Sequence, residues 1–265
     1  MNLFERLVWQ QNPDRIILDD LIFDLGRLRE ARVGDGDDSF IFLKERRMLD
    51  QYAALWGACP PPAGGHMLEL GIYDGGSIAF WCELLQPARC AAVDIMPWGS
   101  TPYFDRFITS RGLGDRVTCH WGTDQADAAK LRSIVADDLQ GQLDLVIDDA
   151  SHQYIPTKAS FETLFPLIRP GGLYVIEDWS WGCWPNLPAD FELAKGSEPD
   201  RLIGEIAVAA GRMDGFIIGK GPCHTLAPLI NRVTIMSDIA VVERGPADAA
   251  KVPGFTLENY TTRRK

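Results

Sequence analysis

Residues 67–77, Met-Leu-Glu-Leu-Gly-Ile-Tyr-Asp-Gly-Gly-Ser, decide the fold of this chain. Four residues suited to a buried strand run into a glycine-rich loop, and residues 77–85 can continue as a helix. Glycines let a backbone turn tightly and let a ligand approach it, while the first turn of a helix favours an anionic group. The spacing is GxxxGG rather than GxGxxG, so the loop lacks the dinucleotide-binding fingerprint. By itself the loop also fits an ordinary turn from strand to helix.

The alternation of strand and helix continues beyond this loop. Further strands are predicted at 90–93, 117–119, 143–147 and 173–176, and helices at 77–85, 103–111, 125–135 and 157–168. Such alternation predicts a parallel sheet with helices on both faces. Near the end of the chain, 233–236 and 239–242 flank Ser237-Asp238, which predicts a closing antiparallel hairpin. We therefore expect a doubly wound, Rossmann-like α/β fold with an antiparallel end.

The first 60 residues have a different pattern. Helical spacing recurs among Leu18, Leu21, Ile22, Leu25 and Leu28, and again among Met48, Leu49, Tyr52 and Trp56. We interpret residues 1–60 as a helical segment that forms a lid, an oligomer contact or both, and residues 61–265 as the main domain. We expect a homo-oligomer.

Composition limits the classes of partner. Of the 265 residues, 46% are hydrophobic and 24% are charged, as in ordinary folded globular proteins. Lys and Arg total 26 against 37 Asp and Glu, and the net charge of −11 argues against a nucleic-acid partner. No apolar run approaches the roughly 18 residues of a membrane span, and the six cysteines are scattered without a CxxC pair. We expect a cytoplasmic protein with reduced cysteines and neither a membrane nor a nucleic-acid partner.

Three consecutive strand ends carry groups that suit a nucleoside. The first is the glycine loop. Asp94 ends the second strand, 23 residues after Gly71, where a carboxylate can accept hydrogen bonds from both ribose hydroxyls; its alternative use is as a helix cap or loop acid. After the third strand, Asp124 or Gln125 can read an adenine edge, although Asp124 also suits the cap of the next helix. Together the three ends predict a nucleoside-containing cofactor better than any one of them does.

Two further strand ends carry four carboxylates. The fourth strand ends in Asp148-Asp149-Ala150-Ser151-His152, and the fifth ends in Glu177-Asp178-Trp179. Adjacent strands lie roughly 4.8 Å apart, so the carboxylates can meet, and they would repel one another unless a cation lies between them. Oxygen ligands favour Mg²⁺, with Mn²⁺ or Ca²⁺ as alternatives. Because successive strand residues point to opposite sides, ligation by an adjacent pair requires the strand to end there.

The same edge of the sheet carries a histidine and three tryptophans. His152 follows Asp149 by three residues and can face the same cleft as a general base; the alternative is a surface or structural histidine. Trp179, Trp181 and Trp184 suit either stacking against a ring-shaped substrate or packing beneath a loop.

These runs resemble the class I S-adenosylmethionine-dependent methyltransferases. The matching runs are MLELGIYDGGS, AAVDI, TDQAD, DLVIDDASH and LFPLIRPGGLYVIEDW, which cover about residues 66–180. The DDxSH and IED elements more closely resemble the metal-dependent O-methyltransferases that modify sugars of macrolide and other antibiotics, the mycinamicin and macrocin type. This chain has Ala150 where that family usually has glycine, and TDQAD at 123–127 where it has GDQSD.

The resemblance implies a role for each candidate residue. The cofactor would be S-adenosylmethionine, with Gly71 at its methionine portion, Asp94 at its ribose, and Asp124 and Gln125 on its adenine side. The other cofactor contacts that we predict are Glu69, Tyr73, Gly75, Ser77 and Asp148. Mg²⁺ would be bound by Asp149, Glu177 and Asp178, and His152 would be the base.

The implied reaction is methyl transfer from S-adenosylmethionine to a hydroxyl of a small natural product, a glycoside or polyketide-like molecule of antibiotic biosynthesis. Vicinal hydroxyls of the acceptor would chelate Mg²⁺, which lowers the pKa of the attacking hydroxyl while His152 removes its proton. Two alternatives remain: methylation of a catechol or other phenol, and a nucleotide- or metal-binding relative without transfer activity. The presence of His152 beside the acids argues against the second, because binding alone does not need a base.

Overall fold

Two sheets organise the part of the chain that this computed structural model describes, residues 3–11, 14–26, 38–183, 199–211, 229–247 and 254–261. The N-terminal sheet contains β1 (Leu7–Gln11), β2 (Asp14–Leu18), β3 (Leu21–Leu25) and β4 (Phe40–Phe42), in the order β1-β2-β3-β4. Its strands pair antiparallel, except that β3 and β4 run parallel. Helix α1 (Arg46–Ala58) leads from this sheet to the next.

The helix predicted over residues 18–25 is wrong, because these residues form the β2–β3 hairpin; Leu28 lies outside the described residues. The leucine spacing fits a helix, but Leu21 and Phe23 also alternate as the buried face of a strand. Asp19 has a left-handed φ of 56° in the two-residue turn that joins β2 to β3, a conformation that does not occur within a helix. The second predicted N-terminal helix is confirmed as α1.

The remaining elements alternate strand and helix as far as residue 177. They are β5 (His66–Leu70), α2 (Gly76–Leu85), β6 (Arg89–Asp94), α3 (Pro102–Ser110), β7 (Val117–Trp121), α4 (Ala128–Asp137), β8 (Leu145–Asp148), α5 (Tyr154–Leu164) and β9 (Leu173–Glu177). After them come α6 (Pro199–Ala210), β10 (Ile230–Ile235), β11 (Ile239–Arg244) and α7 (Leu257–Thr261).

Strands β5 to β11 form one seven-stranded sheet in the order β10-β11-β9-β8-β5-β6-β7. Strands β5 to β9 run parallel, whereas β10 and β11 form an antiparallel hairpin beside β9. The predicted Rossmann-like α/β fold with an antiparallel end is confirmed. The order of winding reverses between β5 and β8, and such a reversal places a crevice at the carboxyl ends of these two strands.

Alternate residues of this sheet face two different cores. On β5, Met67 belongs to a cluster with α1, α2 and the N-terminal strands, whereas Leu68 belongs to a cluster with α4, α5 and α6. Helices therefore cover both faces, as predicted. Because Phe23 and Tyr52 pack in the same cluster as Met67, the segments before and after residue 60 share a core; the domain boundary placed there stays a prediction. Each helix among the described residues is too short or too polar to cross a membrane.

Candidate active site

A cavity of about 680 Å³ opens at the crevice between β5 and β8. Most of the residues predicted from the strand ends line it: Gly71, Tyr73, Ser77, Asp94, Asp124, Gln125, Asp149, His152 and Asp178. The other four predicted residues lie outside its lining: Glu69, Gly75, Asp148 and Glu177. Gly75 is the N-cap residue of α2.

Gly71 has a conformation and surroundings that only glycine satisfies. Its φ is 101°, and an added Cβ would lie 2.3 Å from the carbonyl oxygen of Asp149. The loop after β5 therefore packs directly on the segment after β8. This close approach brings the glycine loop and the carboxylates into one cavity.

Asp94 holds the glycine loop in place. Its Oδ2 accepts hydrogen bonds from the backbone N–H groups of Ile72 and Tyr73, both at 2.9 Å, and its Oδ1 accepts one from Met96 N–H at 2.8 Å. Because a carboxylate oxygen has two lone pairs, Oδ1 can accept one further hydrogen bond, and the half-buried side chain lines the cavity. The same carboxylate can therefore support the loop and accept a further donor from a ligand.

Buried Glu69 on β5 and half-buried Ser77 at the start of α2 form a polar pair. Ser77 Oγ donates to Glu69 Oε1, while Glu69 Oε2 is buried and has no hydrogen-bond partner among the described residues. Burial raises the pKa of Glu69 to about 8, although Lys44 and Ser77 oppose the rise. A buried acceptor without a donor is uncommon in folded proteins.

Gln125 and Asp148 belong to a buried hydrogen-bond network. Asp148 accepts from Tyr174 Oη at 2.6 Å, from Ser160 Oγ at 2.8 Å and from Gln125 Nε2 at 3.1 Å. Gln125 Oε1 accepts from Ser151 N–H at 3.0 Å. Burial raises the pKa of Asp148 to about 6. These bonds fix the segment after β8, and the cofactor contacts predicted for the two side chains stay predictions.

Asp124 is exposed at the cavity wall, where its carboxylate accepts a hydrogen bond from Ala126 N–H at 2.8 Å. The cap of α4 is instead Asp127, which accepts from the N–H groups of Ala129 and Lys130. The alternative in which Asp124 caps the next helix is therefore wrong.

Asp149, His152 and Asp178 meet at the other end of the cavity. One ligand atom from each lies within 4.8 Å of the other two, and His152 Nε2 is 3.7 Å from Asp149 Oδ1. His152 and Asp178 have positive φ values of 50° and 49°. Such backbone conformations cost energy for residues other than glycine, and they cluster at functional sites.

Lys44 joins this cluster from the N-terminal part of the chain, and sequence reasoning missed it. Its Nζ donates to Asp149 Oδ2 at 2.8 Å and to Glu177 Oε2. Tyr52 Oη donates to Glu177 Oε1 at 2.5 Å, so both oxygens of Glu177 have donors. Glu177 is not part of the group formed by Asp149, His152 and Asp178.

A sequence signal for Lys44 exists in retrospect. The lysine directly follows the apolar run Phe-Ile-Phe-Leu at 40–43. A charged side chain that adjoins a buried strand needs either an exit to solvent or a counter-charge. Lys44 is 1% exposed, and its counter-charges lie more than 100 residues further along the chain.

The charges of the cluster shift one another's titration. Burial alone would raise the pKa of Asp149, but Lys44 and His152 lower it below its ordinary value. Burial beside Asp149 raises the pKa of Glu177 well above its ordinary value, against the opposing effect of Lys44. Burial and the charge of Asp149 raise the pKa of Asp178 to about 6. A cation placed among these carboxylates would relieve their repulsion.

Of the three predicted tryptophans, Trp181 contacts a residue of the site, whereas Trp179 packs against the core. Trp181 lies edge-on to His152, with ring centroids 5.6 Å apart, and its Nε1 donates to the carbonyl oxygen of His152 at 2.7 Å. Trp179 Nε1 donates to the carbonyl oxygen of Met236 at 2.8 Å, which ties the segment after β9 to the closing hairpin. Trp184 lies outside the described residues.

Part of the chain that forms the main sheet is similar to known proteins. Residues 68–179 match a family model described as a methyltransferase domain. These residues are thus similar to known methyltransferase domains. The chain is 34% identical over 215 residues to demethylmacrocin O-methyltransferase of Streptomyces fradiae, a match that covers 73% of this chain and 48% of that protein.

Two further comparisons extend this finding. The chain is 48% identical over 133 residues to 8-demethyl-8-alpha-L-rhamnosyl tetracenomycin-C 2'-O-methyltransferase of Streptomyces olivaceus, covering 48% of this chain and 32% of that protein. The structure of the MycE methyltransferase from the mycinamycin biosynthetic pathway, in complex with Mg and SAH, matches with a TM-score of 0.51 at 27% identity over 78% of this chain and 50% of MycE.

These matches confirm the predicted resemblance to class I methyltransferases and to the mycinamicin and macrocin type. The chain spans about half the length of demethylmacrocin O-methyltransferase and of MycE. The roles of individual residues within the matching segment stay predictions.

Proposed function

We propose that this protein is a Mg²⁺-dependent O-methyltransferase that transfers the methyl group of S-adenosylmethionine to a sugar hydroxyl of a small natural product. The observation that carries the proposal is the shared cavity, in which the loop held by Asp94 faces the cluster of Asp149, His152 and Asp178. The MycE complex with Mg and SAH supports both cofactors. The rhamnosyl group in the name of the Streptomyces olivaceus enzyme supports a sugar acceptor.

The crevice fits S-adenosylmethionine. Asp94 can accept a ribose hydroxyl through the remaining lone pair of Oδ1. The volume of the cavity lies within the usual range for small-molecule sites. Glu69 is buried beside Ser77 and outside the cavity lining, so its contact with the methionine portion stays a prediction. When bound, this cofactor supplies a methyl group on a sulfonium, a leaving group that needs no protonation.

The acidic end of the cavity fits Mg²⁺. Carboxylate oxygens are the ligands that Mg²⁺ prefers, and Asp149 and Asp178 present them to the cavity with Glu177 beside them. We assign Asp149 and Asp178 to the ion. The ligand role of Glu177, whose two oxygens are bonded by Lys44 and Tyr52, stays a prediction. His152 is left free for proton transfer, because an imidazole suits softer metals than magnesium. When bound, the ion makes a nearby hydroxyl easier to deprotonate.

His152 is the base in this proposal. Its Nε2 takes the proton of the acceptor hydroxyl, and the nearby Asp149 carboxylate stabilises the imidazolium that results. The indole N–H of Trp181 bonds the carbonyl oxygen of His152 and so holds its backbone, and the two rings lie edge-on to each other. The fixed direction of the acceptor toward the methyl group supplies much of the remaining rate.

The acceptor is a glycoside or polyketide-like molecule with vicinal hydroxyls, as the relatives' names suggest. A homo-oligomer, a cytoplasmic location and the lack of a nucleic-acid partner stay predictions, supported by the N-terminal segment and by the net charge of −11.

A methyl-transfer assay tests the proposal. The protein is incubated with S-adenosylmethionine, Mg²⁺ and either a rhamnoside or a catechol, and products are identified by mass spectrometry. We expect the rhamnoside to gain one methyl group, the reaction to stop with EDTA and resume with Mg²⁺, and S-adenosylhomocysteine binding to survive EDTA in calorimetry. Full turnover in EDTA would contradict the metal assignment. Methylation of catechol alone would contradict the sugar acceptor.

A further inference from the structure

Lys44 reaches the acidic cluster from outside the segment that matches the methyltransferase family model. Its side chain is 1% exposed, and its ammonium bonds Asp149 at the end of β8 and Glu177 at the end of β9. Lysine is almost never buried this completely unless it is paired. One ammonium thus bridges the two strand ends from which the metal ligands come.

The cluster contains more negative charge than Lys44 neutralises. Asp149, Glu177 and Asp178 provide three carboxylates, and Lys44 provides one positive charge. A divalent ion would balance the remainder, and buried charges that stay unbalanced are costly. Lys44 bonds Oδ2 of Asp149, while Oδ1 of the same carboxylate lies toward His152.

We infer that Lys44 is a resident counter-charge of the metal site, which bridges Asp149 and Glu177, directs Oδ1 of Asp149 into the cavity and holds down the affinity for a divalent ion. The inference rests on the metal dependence proposed above. A unit charge about 5 Å from a divalent ion changes its binding roughly tenfold even in the dielectric of bulk water. Loss of the charge therefore tightens metal binding, whereas loss of a ligand weakens it.

The test measures Mn²⁺ binding to the full-length protein by calorimetry and electron paramagnetic resonance, without acceptor. We expect Lys44→Met to bind Mn²⁺ on the order of tenfold more tightly, and Lys44→Arg, which keeps the charge, to bind as the wild type does. Lys158→Met is the matched control, because Lys158 pairs with Glu205 at 2.7 Å and not with the cluster. Tyr52→Phe removes one bond to Glu177 without changing the charge, and it should shift the affinity far less than Lys44→Met.

Thermal unfolding gives a second readout. In EDTA, Lys44→Met should unfold at a lower temperature than the wild type, and saturating Mn²⁺ should stabilise it more than it stabilises the wild type. If this variant folds only when refolded with Mn²⁺ and is lost again in EDTA, the inference is supported equally.

Two results would overturn the inference. Equal or weaker Mn²⁺ binding by Lys44→Met, with normal binding by the wild type, refutes the role of Lys44 and leaves the proposed function standing. If neither protein binds Mn²⁺, the proposed metal dependence fails together with the inference.

Discussion

Replacement of His152 by asparagine separates a general base from a metal ligand. His152 has a φ of 50°, a left-handed conformation that costs most residues roughly 1–2 kcal/mol but that asparagine adopts more readily. His152→Asn should therefore fold nearly as well as the wild type, whereas alanine would add a backbone penalty. Any large loss of turnover then reports on the imidazole.

The magnitude follows from the position of the ring. His152 lines the cavity beside Asp149, and it is the residue to which the proposal assigns the proton transfer. A positioned base contributes on the order of 10²–10⁴ in rate, equivalent to about 3–5 kcal/mol of transition-state stabilisation. We expect His152→Asn to lose turnover in this range while it binds S-adenosylhomocysteine and Mn²⁺ as the wild type does. The loss should shrink at high pH, where the acceptor hydroxyl ionises with less help.

The assay is single-turnover methyl transfer as a function of pH, with Mn²⁺ calorimetry on the same samples. His120→Asn is the control. His120 lies on the outer strand β7, is also half-buried and does not line the cavity. Its Nε2 pairs with Asp138 at 2.6 Å. Near wild-type turnover by His152→Asn at neutral pH would refute the role of the base. A joint loss of Mn²⁺ affinity and turnover would make His152 a ligand.

Three further predictions concern the acids of the site. Asp94→Ala should weaken S-adenosylmethionine binding by roughly 1–3 kcal/mol in calorimetry, and unchanged affinity would remove Asp94 from the ribose. Asp149→Ala should lose Mn²⁺ affinity and turnover together but keep S-adenosylhomocysteine binding, so turnover without measurable Mn²⁺ binding would contradict its role as a ligand. Because folding raises the pKa of Glu69 to about 8, the carboxyl group of Glu69 stays protonated to a higher pH in the folded state than in the unfolded chain. The free energy of unfolding should therefore fall as pH rises toward 8, by up to about 1.4 kcal/mol per pH unit. In urea denaturation, Glu69→Gln should make the free energy of unfolding depend less on pH. An unchanged pH dependence in this variant would show that Glu69 does not cause it.

The main sheet could be predicted because its signals are local. Each parallel strand is a short apolar run that ends at a polar loop, and this pattern needs no knowledge of distant partners. The N-terminal sheet could not be predicted in this way. Its leucines fit the helical period and the strand period equally well. The strand forms because Phe23 pairs with Phe40 on β4, a contact between distant residues that the spacing of the leucines does not predict.

The residues of the site likewise differ in whether local sequence signals predict them. Asp149, His152 and Asp178 could be predicted as neighbours, because parallel strands end at one edge of a sheet. The partner of Glu177 could not, since Lys44 lies 133 residues away in sequence. An isolated lysine after an apolar run does not reveal which carboxylate it will meet.

The two pairs of adjacent acids owe their different roles to the point at which each strand ends. Asp148 and Glu177 are the last residues of β8 and β9, and both are buried, one against Ser160 and Tyr174 and the other against Lys44 and Tyr52. The next residue of each pair lies just beyond the strand and lines the cavity. The buried acid of each pair thus anchors the strand end from which its neighbour reaches the cavity. Since one of these anchors depends on a lysine and a tyrosine from before residue 60, the N-terminal segment is a working part of the site, and a fragment limited to residues 68–179 would lose the support of Glu177.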